Sequence, residues 1–92
     1  MPNGAMQAAA LSNEVQLNRI DPEQNMRRFY RLTVQHDLFG NVSLIRVWGR
    51  IGSRGRQIID THADECGAIN ALIELAYQKQ CRGYGIVSSH FY

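Results

Sequence analysis

Ninety-two residues suffice for one domain and not for two. A hydrophobic fraction of 45% with 20% charged residues is ordinary for a globular chain and excludes global disorder. No run approaches the ~18 consecutive apolar residues of a membrane span, and a net charge of +2 does not by itself announce a polyanionic partner.

The charge is unevenly placed. Residues 19–56 hold eight arginines against Asp21, Glu23 and Asp37, whereas residues 57–92 hold four acids against Lys79 and Arg82. The first part is basic and the second mildly acidic. Nine of the ten cations are arginine, the side chain suited to forked contacts with phosphate and to stacking on rings.

Residues 1–13 lack the basic start and continuous apolar stretch of a secretory signal and read as a flexible leader. A domain over residues 14–87 and a tail over 88–92 follow. Residues 14–20 alternate, with Val15, Leu17 and Arg19 on one side, and predict a short strand. Asp21-Pro22 breaks it. Residues 28–36 predict a second strand, with Tyr30, Leu32 and Val34 sharing one face and Phe29, Arg31, Thr33 and Gln35 the other. The segment from Asp37 to Asn41 is a turn signal, and residues 42–50 form the third strand. Gly52 and Gly55 bracket Ser53-Arg54 as a hairpin, and residues 56–61 return as the fourth strand.

The period then becomes helical. Ile69, Leu72, Ile73, Ala76 and Gln80 recur at helical spacing, flanked by Ala68 and Leu75. Thr61 and Asp64 imitate a capping box, Lys79 and Arg82 suit the negative end of the dipole, and Gly83 is the stop. Residues 84–92 fit either a short strand or a docked tail. Strands followed by one helix predict an α+β fold, an antiparallel sheet with the helix on one face. Cys66 and Cys81 would sit ~22 Å apart on that helix, beyond disulfide reach. Free thiols suit a reducing, cytoplasmic setting.

In the third strand one parity holds Val42, Leu44, Arg46, Trp48 and Arg50, and the other Ser43, Ile45, Val47, Gly49 and Ile51. Burying the first would bury two arginines with no evident carboxylate beside them, at high cost. The reading therefore turns Ile45, Val47 and Ile51 toward the helix and Arg46, Trp48 and Arg50 toward solvent. An exposed Trp48 between guanidinium groups can stack on a base or ribose while the arginines hold phosphates. It can equally cover a core edge beneath the arginines.

Trp48-Gly49-Arg50 followed by Ile51-Gly52 resembles the signature of the WGR domain. Phe29 to Gln35 is similar to that family's aromatic-x-Leu-x-Leu/Val-Gln strand. Asp37-Leu38-Phe39-Gly40 resembles a loop of its bacterial members. Gly55, the helix around Ala68 and the Lys79 to Tyr84 ending fit as well. The resemblance spans roughly residues 15–84. It implies a sheet flanked by one helix and a module that contacts DNA at breaks in poly(ADP-ribose) polymerases. There the motif tryptophan packs on a terminal sugar and the motif arginine joins neighbouring domains. Carried over, Trp48 is the stacking residue and Arg50 the interdomain or phosphate residue. Within these 92 residues no ADP-ribosyl-transferring catalytic domain is expected.

The expectation is a non-catalytic module that binds nucleic acid, DNA and its strand ends foremost. Its residues would be Arg31, Arg46, Trp48, Arg50, Ser53, Arg54 and Arg56. The alternative is a protein-docking module using the same surface. Gly49, Gly52 and Gly55 match no nucleotide-binding loop. His36, His62 and His90 lack zinc-ligand spacing, and no nucleophile–base set stands out. No metal, cofactor, small-molecule substrate or membrane partner is expected.

Overall fold

The computed structural model describes residues 13–91. Its elements are β1 (Asn13–Asp21), a 3-10 turn (Pro22–Gln24), β2 (Met26–His36), β3 (Val42–Arg50), β4 (Arg56–His62), α1 (Glu65–Cys81) and β5 (Gly85–His90). The expected leader lies outside the described residues except for Asn13, which opens β1 opposite Val34 and is buried.

The strands form one antiparallel sheet in the order β4-β3-β2-β1-β5. β1 to β4 make a meander. α1 then crosses one face and returns the chain to the far edge, where β5 pairs with β1 through a bulge between Gln16 and Leu17. The strand therefore runs through His90, where the sequence reading placed a tail from residue 88.

Asp21 starts the first connection by accepting a hydrogen bond from the Glu23 N–H, and Asn25 closes it in the left-handed region at φ 51°. The β2–β3 turn is tied by one carboxylate. Asp37 Oδ1 accepts from the N–H groups of Phe39 and Asn41, and Oδ2 from Asn41 Nδ2. Those hydrogen bonds, the side chain of Asn41 first, hold the Asp37 carboxyl below its usual pKa.

The core lies between α1 and one sheet face. Leu17, Leu32, Leu44, Leu72 and Val34 are its largest fully buried side chains. Each contributes about 1.5–3 kcal/mol relative to exposure. The helix contributes Ala68, Leu72 and Ala76, a stripe at every fourth residue whose two alanines let α1 sit close to the strands. This stripe is narrower than the sequence pattern suggested, for Ile73 is half exposed. The capping box is also corrected. Thr61 belongs to β4, and Asp64 is itself the N-cap, accepting from Gly67 N at 2.8 Å.

Candidate functional site

The facing of β3 is the reverse of the sequence expectation. Val42 and Leu44 are buried against α1, so Arg46, Trp48 and Arg50, at the same parity, leave the sheet on the helix side. The missing carboxylate is on the neighbouring strand. Asp60 lies opposite Leu44, and its Oδ2 comes within 3.0 Å of Arg46 Nε. The approach is off-line for a hydrogen bond, so the enclosed Nε is held by charge. Ile45 and Val47 occupy the opposite face, where Val47 is nevertheless buried, outside the helix-side core, and Ile51 falls in the β3–β4 turn.

Trp48 packs at the edge of the core rather than standing free in solvent. It lies directly opposite Tyr30, and the two rings stack with centroids 5.7 Å apart and planes 15° from parallel. Tyr84, just beyond α1, meets Tyr30 edge-on at 6.3 Å. Lys79 from the last turn of α1 places Nζ 4.5 Å from the Tyr30 centroid and 6.0 Å from that of Tyr84. Burial there, followed by the charges of Arg82 and Arg46, holds the Lys79 ammonium below its usual pKa.

Past this aromatic group the helix has ended and the sheet continues. Arg19 pairs in register with Arg28, and Arg28 with Arg50, which places three arginines side by side on the helix side of β1, β2 and β3. Like charges directly opposite across strands are unfavourable. Among the described residues none of the three has an ion pair. Arg50 is steered by Asn25, donating to its carbonyl at 3.3 Å and to Oδ1 at 3.4 Å. Gly83 at the helix end lets Arg19 approach closely, since a Cβ there would stand 3.2 Å from Arg19 Nε. Arg28, Trp48, Gly49, Arg50 and Tyr84 line a hollow of about 350 Å³. Its wall is rings and guanidinium groups, and no carboxylate lines it.

The glycine between Trp48 and Arg50 has a steric cause. A Cβ on Gly49 would come within 2.7 Å of Gly55 Cα, because the β3–β4 turn folds back onto it. Gly55 itself sits at φ 75° with its missing Cβ aimed at the Trp48 carbonyl. Ser53 finishes the turn by donating its hydroxyl to the Arg50 carbonyl at 2.7 Å.

The seven expected site residues divide between two faces. Trp48 and Arg50 line the hollow. Arg46 is on the same side but committed to Asp60, and Arg56 lies opposite Trp48 at the start of β4. Arg31, Ser53 and Arg54 border a separate cleft on the open face. Sequence reading missed Arg19, Arg28, Lys79 and Tyr84, of which Arg28 and Tyr84 line the hollow. The signal for the first two was present, since a hairpin closed around Asp21-Pro22 aligns Arg19 with Arg28. Among the described residues no group of three or more His, Cys, Asp or Glu side chains could hold a metal ion.

Comparison with known proteins agrees with this architecture. The family model described as WGR domain matches residues 13–91. An uncharacterized protein, y4dW, of Sinorhizobium fredii (strain NBRC 101917 / NGR234) is 38% identical over 68 residues. That alignment covers 74% of this chain and 33% of the relative, so the chain spans about a third of its length. No solved structure gave a significant match.

Proposed function

The chain belongs to the WGR domain family, a nucleic-acid-binding type of module, and we propose that it binds DNA, at strand ends, through the hollow beside Trp48. The observation that carries this reading is the hollow's composition: Trp48 and Tyr84 beside Arg28 and Arg50, with no acid in the lining. One face of the Trp48 indole is occupied by Tyr30. Trp48 is only partly buried, so a sugar or base can pack on the part that Tyr30 leaves uncovered, and a terminal residue is the one whose face a duplex leaves open. Arg28 and Arg50 then reach the phosphates on either side of it, with Arg19 extending the row. A phosphate there would also offset the mutual repulsion of the arginines and favour the charged form of Lys79. The role is one of binding, without catalysis.

The test is fluorescence anisotropy with blunt, nicked and 5′-phosphorylated duplexes at low salt. Neutralising about four phosphates gives a slope of log affinity on log salt of about −4. Replacing Arg28 and Arg50 by glutamine should flatten that slope by about 2. Absence of binding at low salt would reject the reading and leave the docking alternative, in which Trp48 and Arg50 anchor a protein partner.

A further inference from the structure

The turn that closes on Gly49 has a second side. On the sheet face away from α1, Gln16, Asn18, Phe29 and Arg31 form the floor of a cleft of about 410 Å³, and residues 51–54 form its wall. Its charges are not spent on the fold. Arg31 has uncharged cross-strand neighbours, Gln16 and Val47. Among the described residues neither Arg31 nor Arg54 forms an ion pair. Glu14 is the acid on the same face of β1, and its Oε1 already accepts the Thr33 hydroxyl at 3.1 Å. Asn18 Oδ1 is enclosed and has no hydrogen-bond partner among the described residues. It belongs to the strand position directly opposite Phe29.

Two guanidinium groups, two side-chain amides and an aromatic ring make a site for a group that is anionic at one end and flat with a hydrogen-bonding edge at the other. We propose that this cleft is a second nucleic-acid subsite, holding one nucleotide of a single strand. Arg31 and Arg54 meet its phosphate, Phe29 meets the face of the base, and Asn18 with Gln16 meets the base edge. A duplex keeps its base faces stacked and its pairing edges occupied, so only an unpaired strand offers these groups together. The choice of nucleic acid as ligand rests on the reading of the Trp48 hollow. Both sites lie at the same end of the sheet, and Arg50 and Ile51 connect them along the chain. A strand running on past a duplex end at Trp48 would round that end and enter the cleft.

The experiment titrates a labelled single-stranded pyrimidine hexamer and, separately, a blunt duplex into the wild-type protein, the R31Q/R54Q variant and the R28Q/R50Q variant. Circular dichroism checks that each is folded. The proposal expects hexamer affinity to fall about tenfold or more in R31Q/R54Q, the loss typical of removing hydrogen bonds to a charged group. It expects the duplex to be lost in R28Q/R50Q. A wild-type protein that ignores the hexamer overturns the cleft. So does a hexamer loss in R28Q/R50Q as large as that in R31Q/R54Q. A hexamer held at Arg31 and Arg54 by a protein that ignores duplex ends would support the cleft and contradict the Trp48 reading alone.

Discussion

Tyr30 and Trp48 face each other across β2 and β3 with their rings 5.7 Å apart and nearly parallel. Tyr30 is 5% exposed, whereas Trp48 is only partly buried, so the phenol anchors the stack and the indole carries its exposed side. Tyr30→Ala should cost about 3 kcal/mol, as for other buried aromatics. A double-mutant cycle with Trp48→Ala should return a coupling of about 0.5–1.5 kcal/mol. Urea unfolding measures both. Additive losses would show that the rings do not support one another.

Gly49 and Gly55 are expected to resist substitution for different reasons. In Gly49→Ala the new Cβ meets backbone at 2.7 Å, which neither strand nor turn can relieve cheaply. Overpacking of this kind costs about 1–3 kcal/mol. Gly55→Ala should cost more, since positive φ is added to a closer clash with the Trp48 carbonyl. Urea midpoints for the two variants check the order.

The Arg46–Asp60 pair makes an asymmetric prediction. Its side chains are 25% and 42% exposed, so solvent screens it and the pair itself is worth about 1 kcal/mol or less. Arg46→Met should be nearly neutral, because the aliphatic stem is kept and the charge is removed. Asp60→Ala should destabilise more, since it leaves the enclosed Arg46 Nε with no counter-charge.

If DNA binds as proposed, Lys79 gives the binding a pH dependence. Its pKa is lowered from 10.5 in the free protein. Between that lowered value and 10.5 the unfolded chain holds the proton more firmly, so this group's contribution raises stability as pH rises through the window. Binding has the opposite sign. A phosphate restores the charged form, so affinity falls as pH climbs through the lowered value. Titrations from neutral pH upward should show this decline, and Lys79→Arg should remove it, since arginine stays charged.

The tip of the β2–β3 turn should be inert to unfolding measurements. Leu38 is 98% and Phe39 88% exposed, and the turn is held by Asp37 and Asn41 instead. The double change Leu38→Ser, Phe39→Ser should shift stability by no more than about 0.5 kcal/mol.

Much of the fold was legible because β1 and β2 alternate cleanly. Tyr30, Leu32 and Val34 could share only one face, and the limits of β3 follow from the turn residues on either side. The facing of β3 was not legible. Both of its parities carry aliphatic side chains, and the carboxylate that lets Arg46 lie on the helix side is supplied only by the β3–β4 register. β5 was ambiguous for a related reason. It is an edge strand with every residue exposed, so no buried alternation marks it. The site suffered from both effects. Trp48 and Arg50 were identified correctly as neighbours, but the reversed facing grouped them with Arg31 and Arg54, which lie across the sheet. The arginine row at Arg19, Arg28 and Arg50 exists only once three strands are in register.

Trp48 is the sole tryptophan in the chain, so its emission reports on the hollow alone. The most direct measurement is intrinsic fluorescence during titration with a blunt duplex, followed in parallel by anisotropy of the labelled DNA. The account predicts that Trp48 emission changes and saturates at the same concentration as the anisotropy, with both curves abolished in R28Q/R50Q. DNA that binds fully while Trp48 emission stays constant would contradict it.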